Sequence, residues 1–167
     1  MQIREVLLED AERLHTLISA VESEASFMLM EPGERNLTIE KQRAMVQHFL
    51  VNNYSTIVLA EDADELVGYV IAIGGEVQRT KHSVRLVIGV LDSYRGQGIG
   101  HRLFNFIDSW AKLQGIARLE LSVVTTNEAA LRLYRKCGFT IEGEKRKSLC
   151  IDDVFYNEYI MSKLLYT

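Results

Sequence analysis

Apolar residues recur along this chain with two periods, and these divide it into helices and strands. Segments that repeat apolar residues every three or four positions have the spacing of one helix face. The first such segment follows Asp10, its predicted N-cap, and places Leu14, Leu17, Ile18 and Val21 on one stripe. Short runs rich in β-branched and aliphatic residues, bounded by turn residues, predict strands. The predicted order is β-α-α-β-β-β-α-β-α-β-β.

Capping and turn residues set the predicted limits of these elements. Thr38 is predicted to cap a second helix whose buried side holds Met45, Val46, Phe49 and Leu50. Strands are predicted at residues 3–8, 56–61, 66–77, 82–91, 117–123, 140–147 and 154–164.

Two further helices are predicted in the second half of the chain. Gly115 ends the third helix, and a capping box from Thr125 to Glu128 begins the fourth, which Gly138 closes after Lys136. The third helix is predicted to bury Ile99, Leu103, Phe106, Ile107, Trp110 and Ala111.

The bulk composition narrows the class of protein. A chain of 167 residues without repeats or linkers predicts a single domain over residues 1–167 with one sizeable core. No apolar run approaches the roughly 20 residues of a membrane span, and the start lacks a secretory signal, so we expect a cytoplasmic protein without a membrane partner. Cys137 and Cys150 have no metal-ligand spacing, so no metal is expected. The net charge of −4 argues against nucleic acid as a partner.

The charge is unevenly distributed. Residues 1–40 hold nine acids and three bases. This excess fits a site for a cationic amine, although a solvated helix surface accounts better for most of these residues.

The strongest chemical signal is a glycine-rich turn between a strand and a helix. The apolar run from Val84 ends in a polar turn, and Arg95-Gly-Gln-Gly-Ile-Gly100 then opens the third helix. The first N–H groups of a helix lack intrahelical partners and favour negative charge. Glycines let a ligand approach the backbone, and Arg95 adds planar donors. The pattern predicts a phosphate-binding turn rather than an ordinary connection.

This turn belongs to a larger pattern. It is followed by Asn127 and by Leu133-Tyr-Arg-Lys-Cys-Gly-Phe139, and in this order the three pieces resemble the GCN5-related N-acetyltransferases. The resemblance covers roughly Val84 to Leu164, about half of the chain, and the N-terminal half matches only in its element order. It implies an α/β single-domain fold with a mixed (α+β) sheet, helices on both sides, and splayed parallel fourth and fifth strands.

The resemblance also implies acetyl-CoA as co-substrate, held in the splay. Backbone groups of Ile88, Gly89 and Val90 would pair with its pantetheine arm. Asn127 is by itself a preferred capping residue for the fourth helix, and the resemblance adds a contact between its side chain and the arm. The remaining residues that the resemblance places at acetyl-CoA are Arg95, Gly96, Gln97, Gly98, Ile99, Gly100, His101, Tyr134 and Lys136.

Gly89 is informative by itself, because glycine inside a strand often marks a bulge or a close backbone approach. A bulge would free a backbone N–H, such as that of Val90, to polarise the thioester carbonyl. The alternative is that Gly89 serves only to pack the strand and has no functional role.

Tyr134 lies on the predicted apolar stripe of the fourth helix. Periodicity alone makes it a core aromatic, whereas the resemblance makes it the general acid that protonates the departing thiolate.

The sequence defines the general base less clearly than the general acid. Residues 84–90 contain no acid, and Ser122 stands five residues before Asn127, where some relatives have a glutamate. Glu120 and Glu31 are the candidates, and water-relayed deprotonation is an equal alternative. His82 is expected to lie too far away.

The expected function is direct transfer of acetyl to a primary amine of a small, cationic acceptor. No covalent nucleophile is expected, since no His is predicted to lie near Cys137. Alternatives are a protein N-terminal or lysine acetyltransferase, or a non-catalytic acyl-CoA sensor. A dinucleotide-binding domain is disfavoured, because the glycine spacing is not G-x-G-x-x-G. A homodimer is expected only by analogy with the family.

Overall fold

A single seven-stranded mixed sheet runs through the part of the chain that the computed structural model describes, residues 1–165. The predicted single domain of residues 1–167 therefore ends two residues beyond the described part. The strands lie in the order β1-β2-β3-β4-β5-β7-β6, and every neighbouring pair is antiparallel except β4 and β5. The strands are β1 Gln2–Glu5, β2 Thr56–Asp62, β3 Glu65–Gly74, β4 Ser83–Val90, β5 Arg118–Val124, β6 Thr140–Ile151 and β7 Val154–Leu164.

Two pairs of helices cover the sheet, and the predicted element order is confirmed. One face carries α1 (Ala11–Glu24) and α2 (Ile39–Val51), and α3 (Ile99–Leu113) and α4 (Glu128–Lys136) belong to the core on the other. Side chains that alternate along β4 divide between the two cores: Leu86 and Ile88 join the α3 side, and Val87 joins the α1 side.

The helix limits follow the predicted capping residues at most ends. The Thr38 hydroxyl accepts a hydrogen bond from the Lys41 N–H at 3.2 Å, as predicted. Gly115 and Gly138 have φ of 70° and 94° and follow α3 and α4. The predicted capping box at α4 is wrong, because Asn127 is the N-cap and its side chain accepts from the Ala130 N–H.

Some packing predictions are also wrong. Leu50 is 47% exposed, since α2 ends beside it and turns that position outward. Phe104 is buried and was not predicted, because it lies beside the stripe that holds Leu103 and Ile107. The strand predicted for 66–77 ends at Gly74.

Asp10 precedes α1 as predicted, but its carboxylate does not cap the helix. Its oxygens accept two hydrogen bonds from Arg4, at 2.7 and 2.9 Å, one from the Leu7 N–H and one from Arg13. Both arginines also bind Glu61 of β2. This buried network joins β1, α1 and β2.

None of the helices within residues 1–165 is long and apolar enough to cross a membrane.

Candidate active site

The parallel strands β4 and β5 separate after a short ladder. They pair only at Ser83 with Arg118, Val84 with Leu119, and Arg85 with Glu120. From residue 86 onward, β4 has no ladder partner on its β5 side. Backbone polar groups at such an edge need partners, so the opening between the strands is suited to an extended polar ligand.

Gly89 lies in the open part of β4, and the structure settles why it is a glycine. The register between β3 and β4 is unbroken from Gly68–Val90 to Gly74–Val84, so the bulge considered from the sequence is absent. Instead, the Tyr69 ring lies over Gly89, and a Cβ at Gly89 would meet that ring at 2.7 Å. Close approach by a side chain therefore accounts for this glycine.

We expect Gly89→Ala to destabilise the fold by about 1–3 kcal/mol, because the added methyl group overpacks against the Tyr69 ring. Urea unfolding measures this change. Gly143→Ala is the matched control, since a Cβ there meets nothing within 4 Å, and its effect should stay within about 0.5 kcal/mol. Equal effects of the two substitutions would contradict the packing role of Gly89.

The turn after β4 leads directly into α3. Gly96 and Gly98 have φ of 74° and 78°, and a Cβ at either position would enter open space. Gly98 is the N-cap and provides no side-chain acceptor, so no side chain caps the first N–H groups of α3. This end of α3 presents backbone donors and the positive end of the helix dipole to an anion.

The other residues of the turn hold its shape. Arg95 forms an ion pair with Asp92, and its Nε donates to the Val90 carbonyl at 3.2 Å. The Gln97 amide donates to the Ser93 carbonyl at 3.1 Å. Gly100 allows α3 to pack on α4, because a Cβ there would meet Leu133 at 2.7 Å.

Tyr134 projects from α4 into the apolar core. Its ring packs edge-on against Phe104 at 5.8 Å and also contacts Phe139, and the side chain is 8% exposed. Its hydroxyl has no hydrogen-bond partner within residues 1–165. Burial, with a smaller effect of Cys137, raises the pKa of Tyr134 to about 12, so the phenol keeps its proton at neutral pH.

His101 lies beside Cys137, and the expectation that Cys137 has no neighbouring His is wrong. The His101 Nδ1 is 3.4 Å from the Cys137 Sγ. Burial raises the pKa of Cys137, so the thiol form dominates at neutral pH despite this neighbour. Ile99 is buried at the start of α3, and Lys136 is exposed at the end of α4.

Comparison with known proteins agrees with this geometry. Residues 18–139 match the model of the acetyltransferase (GNAT) family. A GNAT-family acetyltransferase from Streptococcus pneumoniae is 30% identical, with a TM-score of 0.94 over 99% of both chains. The chain belongs to the GNAT family. The expected family and its fold are thereby confirmed.

Other relatives add detail about the GNAT family. The L-2,4-diaminobutyric acid acetyltransferase of Marinococcus halophilus is 35% identical over 60% of this chain and 58% of that enzyme. An acetyltransferase structure from Salmonella typhimurium contains acetyl-CoA and shares the fold, with a TM-score of 0.87 at 15% identity, over 99% of this chain and 94% of that one. The chain covers 24% to 58% of the length of three curated relatives that it matches.

The predicted base candidates occupy different environments in this GNAT fold. Glu120 forms an ion pair with Arg118 at 2.8 Å, so taking up a proton would break that pair. Glu31 is exposed in the loop between α1 and α2, where its backbone N–H donates to the Glu34 carboxylate. His82 precedes β4 at the end opposite Gly89, about 23 Å along the strand.

Sequence reasoning missed two groups of polar residues on the α1 side of the sheet. Glu22, Arg35 and Tyr69 form the first group, and Glu22 is only 3% exposed. The second group is the pair of Glu158 on β7 and Lys145 on β6, in which the Glu158 carboxylate lies 3.8 Å from the Lys145 Nζ. A signal for Glu22 was present, since it continues the buried stripe four residues after Ile18. No group of three or more metal-ligating side chains occurs in residues 1–165.

Proposed function

We propose that this protein is an acetyl-CoA-dependent N-acetyltransferase that acetylates the primary amine of a small, cationic acceptor. One observation carries the proposal: the free edge of β4 leads directly into the uncapped start of α3, and Tyr134 of α4 belongs to the core on the same side of the sheet. The acetyl-CoA complex of the Salmonella relative and the diamino acid used by the Marinococcus relative support it.

Each predicted contact with acetyl-CoA has a physical basis in this fold. The α3 N–H groups from Ile99 onward suit the pyrophosphate, and the open side of β4 suits the pantetheine arm. The Asn127 side-chain oxygen accepts from the Ala130 N–H, which leaves its amide N–H groups for that arm. Arg95 would exchange its ion pair with Asp92 for a phosphate.

In the proposed reaction the neutral amine attacks the thioester carbonyl carbon. The new C–N bond forms as the C–S bond breaks, and Tyr134 donates its proton to the departing sulfur. The attacking nitrogen loses one proton, and Tyr134 regains one from solvent, so the protons balance over the cycle. We retain Glu31 as a candidate proton acceptor, because Glu120 is paired with Arg118 and Glu158 with Lys145. A homodimer and a cytoplasmic location stay predictions.

Thiol release from acetyl-CoA, measured across polyamines, amino acids, aminoglycosides and N-terminal peptides, tests this function. We expect release that depends on a small amine. Release with peptides alone would indicate a protein acetyltransferase. Binding of acetyl-CoA without release would indicate an acyl-CoA sensor and would overturn the proposal.

A further inference from the structure

The loop of residues 25–38 between α1 and α2 lies across the opening between β4 and β5. At its start, the Glu24 carboxylate accepts a hydrogen bond from the Asp92 N–H at 2.8 Å, which ties the end of α1 to the turn after β4. Phe27 then packs edge-on against Tyr156 of β7, with ring centroids 5.5 Å apart. The loop therefore contacts elements on both sides of the opening, where an acceptor must enter.

One arginine of this loop is anchored in a way that leaves its outer donors available. The Arg35 Nε donates to the Glu22 carboxylate at 2.8 Å, and this carboxylate is buried in the last turns of α1. The two terminal nitrogens of Arg35 donate to no group in residues 1–165, and the side chain is 34% exposed. A guanidinium fixed through Nε presents a planar pair of donors that matches a carboxylate.

The Arg35–Glu22 pair lies near the reacting end of β4. Burial raises the pKa of Tyr69, the charge of Glu22 raises it further, and the charge of Arg35 lowers it. Tyr69 also packs in the same apolar cluster as Val21, the residue before Glu22, which places the end of α1 beside the Tyr69 side chain. Because the Tyr69 hydroxyl lies over Gly89, a small molecule held by Arg35 has its other end beside the open edge of β4.

A second, independent observation points to a polar ligand at this end of the helices. Gln42 lies in the first turn of α2 and is fully buried, yet neither atom of its amide has a partner in residues 1–165. Phe49, near the C-terminal end of α2, lines a small cavity together with Val6, which precedes α1. The helices α1 and α2 are therefore antiparallel, and Gln42 lies toward the Glu22 end of α1. Buried polar groups without partners are costly, so this amide is a further polar group between α1 and α2 that the fold itself leaves unsatisfied.

We infer that Arg35 binds the carboxylate of the acceptor, which is an amino acid, and that this contact selects amino acids over simple amines. The inference rests on the proposed function and names its acceptor class. Arg35 contacts the carboxylate only, and the amine points to Gly89.

The test uses pairs of acceptors that differ by one carboxylate: 2,4-diaminobutyrate with 1,3-diaminopropane, ornithine with putrescine, and lysine with cadaverine. For the wild-type protein, kcat/KM should favour the carboxylated member of a pair by about tenfold to a hundredfold. In Arg35→Met this preference should disappear, mainly through KM, while the rate with the plain diamine stays within threefold. Arg43→Met is the matched control, since Arg43 is exposed on α2.

Because Arg35→Met leaves the buried Glu22 carboxylate without its partner, the double variant Glu22→Gln/Arg35→Met is measured as well. It should show the same loss of preference for the carboxylated acceptor. Calorimetric binding of each acceptor to protein saturated with coenzyme A gives a readout that needs no turnover. If the protein binds the carboxylated acceptors more tightly in an Arg35-dependent way but transfers no acetyl group, the carboxylate site is supported and the proposed function is rejected. Equal binding and equal rates for both members of every pair, or equal losses for both in Arg35→Met, would overturn the inference.

Discussion

Replacing Tyr134 with Phe is expected to lower kcat about 100- to 10,000-fold, the usual contribution of a positioned general acid. The substitution removes only the hydroxyl, so the ring should keep its contacts with Phe104 and Phe139. The affinity for acetyl-CoA should change little. Single-turnover thiol release and the Kd of acetyl-CoA measure the two quantities separately.

The pH dependence of this reaction provides a second check on Tyr134. Burial raises its pKa to about 12, and an acid must be protonated to act, so activity that depends on it is lost only as pH rises toward 12. We therefore expect no decline attributable to Tyr134 below about pH 10.

Tyr54→Phe is the matched control for Tyr134→Phe, because Tyr54 lies before β2 at the opposite end of the sheet. A Tyr134→Phe protein that keeps kcat within threefold would rule out the acid role.

Asp10→Asn is expected to destabilise the protein by about 3 kcal/mol. Breaking a buried ion pair costs about 3–5 kcal/mol, and the lower end applies because Arg4 and Arg13 both retain Glu61. Urea unfolding at neutral pH measures the loss. Glu9→Gln changes an exposed neighbour and should have almost no effect.

Lowering the pH should weaken the stabilisation that the Asp10 carboxylate provides. Burial is the largest influence on the pKa of Asp10 and raises it, but the hydrogen bonds from Arg4 and Leu7 and the charges of Arg4 and Arg13 together lower it below its usual value. The stabilisation is thus complete above about pH 4 and is lost as pH falls through the lowered pKa. The difference between wild type and Asp10→Asn should shrink on acidification. A constant difference would show that charge is not its source.

The element order could be predicted because it depends on local patterns. Thr38, Gly115 and Gly138 end or begin helices through contacts with their own neighbours, so the sequence was sufficient for them. The turn from Arg95 to Gly100 was recognisable for the same reason. The ion pair between Arg118 and Glu120 could also have been predicted, since the two residues are two positions apart on the same face of β5.

Contacts between distant residues could not be predicted in this way. His101 and Cys137 are 36 residues apart and meet only because α3 packs against α4. Tyr69 covers Gly89 because of the pairing register of β3 and β4, which periodicity does not determine. Arg35 reaches Glu22 through the conformation of a loop. Each of these contacts depends on tertiary packing, which local sequence patterns do not reveal.

The short ladder between β4 and β5 has a mechanical consequence. The sheet consists of two halves, β1-β2-β3-β4 and β5-β7-β6. Within residues 1–165, three residue pairs at one end of β4 and β5 form the only ladder between these halves. A ligand that pairs with the free part of β4 acts as an inserted strand and braces the two halves. We therefore expect a ligand bound in this gap to stiffen the sheet and to stabilise the folded state by RT ln(1 + [L]/Kd).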